Sequence, residues 1–244
     1  ARALADQTSG KVYALSVGDV GKDELNKLAT YGADHIISVT GDAYQQLDNQ
    51  AYAAAIAQAA QEKDAKAVVF ANDFTGKAVA PRVAARLKAG LAAGVNALPE
   101  STEPLRLRKK AFSGKAYATV EMQGDVHVLS LEPNTYKIAE NPREADIEPF
   151  TPELPAEHKP TRVTATDKVT DQILLTDADI VVSGGRGMKG PEHWQPLEDL
   201  ANTLGAATAC SRPVSDEGWR PEEEHVGQTG KIIAPDLYIA LGIS

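Results

Sequence analysis

The sequence predicts an α/β fold with two doubly wound parallel-sheet domains, the first of which carries an antiparallel β extension. Short apolar runs alternate with helical patterns through residues 11–90, and the same alternation restarts at residue 177. Between them lies a proline-rich, acidic stretch, residues 141–160. Alternating strands and helices favour a parallel sheet with helices on both faces. We therefore place one domain at residues 1–165 and a second, partial Rossmann-like domain at 166–244.

The first domain begins with alternating strands and helices. Apolar runs predict strands over residues 11–18, 33–40 and 65–71, and helical patterns cover 22–32, 43–64 and 76–90. Gly32 is a typical C-terminal helix cap, and the alanine-rich second helix has high intrinsic propensity. Runs at 105–122 and 126–132 predict short strands at the antiparallel edge. We predict that residues 141–160 form a surface crossing, because five prolines exclude a regular helix there.

The second domain repeats this order over a shorter length. Strands are predicted at 177–185 and 206–212, a helix at 193–205, and a further strand within 230–244. The first ten residues resemble the last turns of a helix, and no covering helix follows the apolar run at the other end. Both faces of a parallel sheet are normally covered. We therefore expect part of each domain to lie outside this sequence.

Composition excludes several classes of function. A net charge of −9 and a pI near 5.1 argue against a nucleic-acid surface, and no apolar run is long enough to insert in a membrane. The lone Cys210 cannot form an internal disulfide and is expected in the core. No histidine has the spacing of a metal ligand. We expect the acidic cluster at 216–225 to be a solvated loop.

The segment Gly185–Gly190 matches the dinucleotide pattern G-x-G-x-x-G. That fingerprint requires a helix that begins inside the motif, whereas here Pro191 follows at once and the helical pattern starts near Trp194. An arginine at the end of the second strand, Arg212, is nevertheless compatible with a 2′-phosphate. An NADP-dependent oxidoreductase therefore remains an alternative.

Three polar loops are expected at strand ends in the second domain, where open α/β sheets bind ligands. They are "SGGRG", "CSRPVSDEG" and "VGQTGK", and they carry Arg186, Arg212, Gln228 and Thr229. Two cations and adjacent hydrogen-bonding side chains suit an anionic ligand with a flat polar head. In the competing interpretation, the glycines only make turns and both arginines pair with surface acids.

The motifs "DADIVVSGGRGMK", "LANTLGAATACSRPVSDEGW" and "VGQTGKIIAPDLYIALGIS" resemble the flavin domain of the electron transfer flavoprotein alpha subunit. "GKAVAPRVAARL" and "FSGKAYATVE" extend a looser resemblance into the first domain. The resemblance implies a subunit that holds FAD but has no substrate chemistry of its own. It also implies a beta subunit carrying AMP, electron donors such as acyl-CoA dehydrogenases, and a quinone oxidoreductase as acceptor. The compartment would be the bacterial cytoplasm, or the mitochondrial matrix in a eukaryote.

The same resemblance implies roles for particular residues. Arg186 should approach the FAD phosphates, while Ser211 and Arg212 should lie beside the isoalloxazine ring. Gln228 and Thr229 should bind the polar edge of the ring, with the Thr229 hydroxyl near N5. The remaining contacts implied by the family motifs are Val226, Gly227, Gly230 and Ser244. Arg212 carries a permanent charge, so it would favour a negatively charged ring. A non-catalytic nucleotide-binding scaffold is the third alternative.

Overall fold

The computed structural model describes residues 1–156, 158–166 and 173–243, and it divides the chain into two compact units, Ala1–Ala165 and Thr166–Ser244. In the first unit the helices are α1 (Arg2–Thr8), α2 (Lys22–Thr30), α3 (Asn49–Glu62) and α4 (Phe74–Leu87). Its strands are β1 (Tyr13–Val17), β2 (His35–Val39), β3 (Ala67–Ala71), β4 (Gly90–Val95), β5 (Ser101–Thr102), β6 (Leu105–Ala111), β7 (Ala116–Glu121), β8 (His127–Leu131) and β9 (Asp146–Pro149). The predicted α/β class is confirmed.

The strands of the first unit form two sheets. One is parallel, in the order β1-β2-β9. The other has the order β3-β8-β4-β6-β5, with β7 paired to β6. Its first three strands are parallel, whereas β5, β6 and β7 are antiparallel. The predicted antiparallel extension is therefore present at β5–β7.

Two predictions about the strands of the first unit were wrong. β8 lies between β3 and β4 and is parallel to both, so it belongs to the centre of the sheet and not to the antiparallel edge. Its side chains are buried on both faces, because Val128 packs against α3 and α4 and Leu129 packs in a cluster with Leu107 of β6. The segment 141–160 is more than a surface crossing, because it contains β9, which pairs with β2.

The third helix also starts later than predicted. A short 3-10 turn occupies Asp42–Tyr44, and α3 begins at Asn49. The Asp48 carboxylate accepts hydrogen bonds from the amides of Gln50 and Ala51, at 2.9 and 3.0 Å. An N-cap aspartate satisfies amides that have no partner in the first helical turn. The cap therefore determines the start, although residues 43–47 have helical composition.

The second unit contains β10 (Ile180–Gly184), α5 (Gln195–Leu204), β11 (Ala207–Cys210), α6 (Arg212–Asp216) and β12 (Leu237–Leu241). Its sheet is parallel, with β10 between β11 and β12. Helix α5 buries Leu197 and Ala201 in a core with Val182, Trp194 and Cys210. These contacts fix the carboxyl ends of β10 and β11 side by side.

The described residues contain neither a candidate membrane-spanning helix nor a candidate metal-binding cluster. None of the helices within 1–156, 158–166 and 173–243 has the length and apolar character needed to cross a bilayer. The same part of the chain contains no group of three or more His, Cys, Asp or Glu side chains arranged to hold a metal ion.

Candidate functional site

The three polar loops of the second unit meet at one edge of its sheet. β10 ends at Gly184, whose carbonyl accepts a hydrogen bond from the Ser211 amide at 3.0 Å. The Val226 amide donates to the Cys210 carbonyl at 3.1 Å, next to a parallel bridge between Cys210 and His225. The third loop thus reaches the end of β11 through this bridge and does not follow a strand of its own, contrary to the prediction.

The glycines of the first loop, "SGGRG", allow its backbone to lie directly against the backbone at the end of β12. The Gly185 amide donates to the Leu241 carbonyl at 2.9 Å, and the Gly187 amide donates to the Gly242 carbonyl at 2.8 Å. A methyl group on Gly187 would lie 2.7 Å from the Gly242 oxygen. The bare backbone of this loop is therefore explained by its contact with the end of β12. Helix α5 begins only at Gln195, outside the dinucleotide motif.

The two predicted arginines are exposed and pair with acidic side chains. Arg212 is the first residue of α6, directly after Ser211, and its Nε lies 3.3 Å from an Asp216 carboxylate oxygen. Arg186 Nη1 lies 3.9 Å from Glu217 Oε1. The side chains of Arg186 and Arg212 are 60% and 61% exposed. Exposed ion pairs contribute only about 0–1 kcal/mol, so an anion could replace either acid at low cost.

The third loop is a tight turn with its polar side chains at the tip. The Gly227 amide donates to the Lys231 carbonyl at 3.2 Å, and the Lys231 amide donates to the His225 carbonyl at 2.9 Å. Gln228 and Thr229 lie on the exposed side of this turn. Gly227 has a φ of 127° and open space beside its Cα. Its backbone therefore suits the close approach of a ligand.

Gly230 has a different role from Gly227. A side chain there would collide with the backbone and ring of His225, so this glycine closes the loop on itself. Ser244, the last predicted contact, lies outside the described residues. Arg186, Ser211, Arg212 and the segment 226–230 are thus carried by loops that hydrogen bonds join at the carboxyl edge of β10 and β11.

The sequence did not reveal an ion cluster behind this edge. Arg220 Nη1 lies 2.6 Å from Glu198 Oε1, and Nη2 lies 2.6 Å from Glu224 Oε1. We predicted a solvated acidic loop at 216–225. That prediction was wrong for Glu224, whose side chain is only 15% exposed. Arginine and glutamate four residues apart are a weak signal of pairing outside a helix.

Cys210 lies in the core, as predicted, beside this ion cluster. Burial raises the pKa of its thiol to about 11, and the Glu224 carboxylate acts in the same direction. The thiol is therefore protonated near neutral pH. A protonated thiol is a poor nucleophile and metal ligand.

Comparison with known families gives the two units separate matches. The electron transfer flavoprotein domain matches residues 1–155, and the electron transfer flavoprotein FAD-binding domain matches residues 174–244. The chain belongs to the electron transfer flavoprotein alpha-subunit family. Members of this family are electron carriers rather than enzymes that convert a substrate, and the FAD-binding domain identifies the cofactor as a flavin.

Similar proteins include bacterial and plant alpha subunits. The chain is 32% identical to the alpha subunit of Thermoanaerobacterium thermosaccharolyticum and 34% identical to that of Syntrophomonas wolfei. Each alignment covers 100% of this chain and 76% of the relative. A rice relative named a mitochondrial alpha subunit is 34% identical over 72% of this chain and 51% of its own length.

The residues at the sheet edge fit a flavin dinucleotide. A diphosphate needs a cation, and Arg186 is an exposed cation at this edge; Arg212 is a second exposed cation, suited to a ring that becomes negatively charged. The flavin ring needs hydrogen-bond donors and acceptors, which are the kinds of group that the amide of Gln228 and the hydroxyl of Thr229 carry. The chain therefore carries groups at this edge that are chemically suited to a flavin.

Proposed function

We propose that this protein transfers electrons through an FAD bound at the carboxyl edge of β10 and β11. The observation that supports the proposal is the convergence of three polar loops, with two exposed arginines, within the segment that matches an FAD-binding domain. FAD supplies the redox chemistry, since it exchanges electrons one or two at a time. The protein supplies binding, orientation and electrostatics.

Each loop has a distinct part in the proposed site. Arg186 neutralises the diphosphate, while Ser211 and Arg212 lie beside the ring. Gln228 and Thr229 bind its polar edge, and Val226, Gly227 and Gly230 shape the backbone around it. Ser244, outside the described residues, completes the proposed set. All these groups bind or orient the cofactor.

Arg212 is the proposed electrostatic control. A guanidinium stays charged at any working pH and presents a planar set of donors. Two unit charges about 4 Å apart interact by roughly 4 kcal/mol at an effective dielectric constant near 20, before desolvation. About 1.4 kcal/mol corresponds to ~59 mV for one electron. Even a small part of this interaction would therefore determine how readily the first electron is accepted.

The proposal extends to the family's partners. We propose a heterodimer with an electron transfer flavoprotein beta subunit that carries AMP, and residues 1–165 as the scaffold for this contact. Exposed aromatic side chains on the β6–β7 hairpin support a protein partner, because Phe112 is 82% and Tyr117 56% exposed. Residues 166–244 form the proposed flavin domain. Flavin dehydrogenases, such as acyl-CoA dehydrogenases, and a quinone oxidoreductase are the proposed donor and acceptor.

The proposed setting is fatty acid β-oxidation in the bacterial cytoplasm, or in the mitochondrial matrix of a eukaryote. The rice relative's name places that protein in mitochondria. Neither setting requires insertion into a membrane or contact with nucleic acid.

The test is to co-express the chain with a beta subunit, record the visible spectrum of the purified complex and identify the released nucleotides. We expect flavin absorption bands, FAD and AMP. A colourless complex that binds NADPH would refute the flavin proposal and support an NADP-dependent oxidoreductase. A colourless complex that binds only an adenine nucleotide would support a non-catalytic nucleotide-binding scaffold. In the yellow complex, Arg212→Ala should lower the first reduction potential more than Arg212→Lys, which keeps the charge. Equal potentials for Arg212→Ala and the parent would refute the role of Arg212.

A further inference from the structure

A partly buried cluster of charges lies behind the proposed flavin loops. The Arg220 guanidinium bridges two carboxylates, since Nη1 contacts Glu198 on α5 while Nη2 and Nε contact both oxygens of Glu224, at 2.6 and 2.8 Å. The Thr208 hydroxyl on β11 donates to Glu224 Oε1 at 3.1 Å. This cluster therefore ties one segment of chain to both a helix and a strand.

Burial makes this cluster different from the surface ion pairs of the chain. The Arg220 side chain is 21% exposed and lies 5.7 Å from the centre of the Trp194 ring. Two parallel hydrogen bonds to one carboxylate fix the direction of both side chains. Partly buried ion pairs lose hydration and are weak evidence of stability. A requirement for one defined geometry explains the cluster better than stability does.

The segment that the cluster holds leads directly into the third loop. Glu222–Glu224 form a 3-10 turn, and His225 follows with its bridge to Cys210. Within the described part of the second unit, no α-helix or regular strand lies between Asp216 and Leu237. The position of residues 226–230 therefore depends on the short contacts made by Glu224, His225 and Val226.

We infer that Arg220 and Glu224 form a clamp that sets the position of loop 226–230 against the flavin ring. The inference rests on the proposed function, because that function assigns the loop to the flavin. Arg220 and Glu224 are positioning residues and touch no cofactor themselves. Their effect is transmitted through His225 and Val226, the next residues along the chain.

The first test compares FAD affinity in the complete complex. Arg220→Gln and Glu224→Gln should each raise the Kd for FAD about tenfold, which corresponds to about 1.4 kcal/mol. Glu223→Gln is the matched control, because it removes the same charge from an exposed position in the same turn. Arg220→Lys should recover only part of the affinity, since an ammonium cannot make the parallel contact.

The second test needs no flavin and separates positioning from general stability. Hydrogen exchange at the Val226 and Lys231 amides should accelerate about tenfold in Arg220→Gln, corresponding to about 1.4 kcal/mol. The Val182 amide in β10 should exchange as in the parent. A destabilised reference, Val181→Ala, leaves Arg220 and Glu224 unchanged and removes buried volume from the sheet, in a cluster that packs against Val226. It should speed exchange across the sheet as well as in the loop.

The outcomes distinguish this inference from the proposed function. The clamp is refuted if Arg220→Gln and Glu224→Gln bind FAD as Glu223→Gln does, or if their loop exchange follows the pattern of Val181→Ala. If Arg220→Gln fails to fold, Glu198→Gln removes only the contact to α5 and must show the same local acceleration. A parent complex without FAD would refute the proposed function. The exchange comparison would then still decide whether the clamp orders the loop.

Discussion

Replacing Gly185 with alanine tests why the first loop contains so many glycines. Gly185 has a φ of −115°, which any residue can adopt, so alanine would introduce no backbone strain. Its added methyl group would instead lie 2.6 Å from the Ile243 Cα and overlap the Gly242 carbonyl. Both obstacles are backbone, which cannot rotate away as the end of a side chain can. The strand-end crossing must therefore open.

The expected cost follows from what opening would break. Inserting a methyl group into a packed site typically costs about 1–3 kcal/mol. Moving the end of β12 also strains the hydrogen bonds from Gly185 to Leu241 and from Gly187 to Gly242, each worth about 1 kcal/mol. We expect Gly185→Ala to lower the free energy of unfolding of the second unit by about 2–4 kcal/mol.

Tryptophan fluorescence during urea unfolding measures this loss. The chain contains two tryptophans, Trp194 and Trp219, and both lie in the second unit. The urea midpoint should fall by roughly 1 M or more. Gly190→Ala is the matched control: Gly190 has a φ of 170°, and the three atoms nearest to an added methyl group all belong to the flexible Glu192 carboxylate. If both variants unfold at the same urea concentration, the backbone crossing does not explain Gly185.

Three further predictions concern Asp48 and Cys210, which are buried, and His127, which is half-buried. Asp48→Ala should lower the free energy of unfolding by about 2–4 kcal/mol, because it removes the α3 cap and the acceptor of the Thr161 amide. Urea unfolding followed by far-UV circular dichroism measures this loss, and Asp48→Asn should lose less. Burial lowers the pKa of His127, so the folded state favours the neutral imidazole. The resulting contribution to the free energy of unfolding is fully present above pH 6.5, the pKa in the unfolded chain, and it is lost as the pH falls through the folded pKa. Thermal unfolding between about pH 7 and 5 should therefore show a slope that His127→Gln reduces, and an unchanged slope would contradict the assignment. Cys210, whose thiol has a pKa of about 11, should react slowly with thiol reagents at about pH 8 in the folded protein and rapidly in urea. Equal reaction rates in the two conditions would contradict the burial of this thiol.

Most strand and helix types were predictable from local pattern, but strand β4 was not predicted, and neither was the pairing between distant segments. The run at 126–132 has the apolar content of a buried strand, yet nothing local shows that it lies between β3 and β4. β9 was missed because its residues, Asp146–Pro149, are mostly exposed and contain a proline. A proline is compatible with the edge of a sheet, where its missing amide costs no ladder bond. Its pairing with β2 becomes visible only in the folded chain.

The same limit applies to the candidate site. The loops carrying Arg186, Arg212 and Thr229 could be read from composition and motif, because glycines and polar side chains follow apolar runs. The contacts of Arg220 could not, because Glu198 lies on a separate helix. The glycines of the first loop were interpreted as a ligand-binding motif or as turns, whereas the group that approaches Gly185 and Gly187 is Gly242 of the protein itself. Sequence pattern shows that space is needed and does not show what occupies it.

Burial separates the arginines that can serve a ligand from the one that cannot. Arg186 and Arg212 each pair with one acid, at 3.9 and 3.3 Å, and remain mostly exposed. Water already screens these pairs, so exchanging a carboxylate for an anionic group of the cofactor costs little. Arg220 is held by two carboxylates at 2.6 Å and is mostly buried, and withdrawing it would leave Glu224 without its counter-charge. Arg186 and Arg212 at the sheet edge are therefore available to an anionic cofactor. Arg220 stays fixed and can keep loop 226–230 in place.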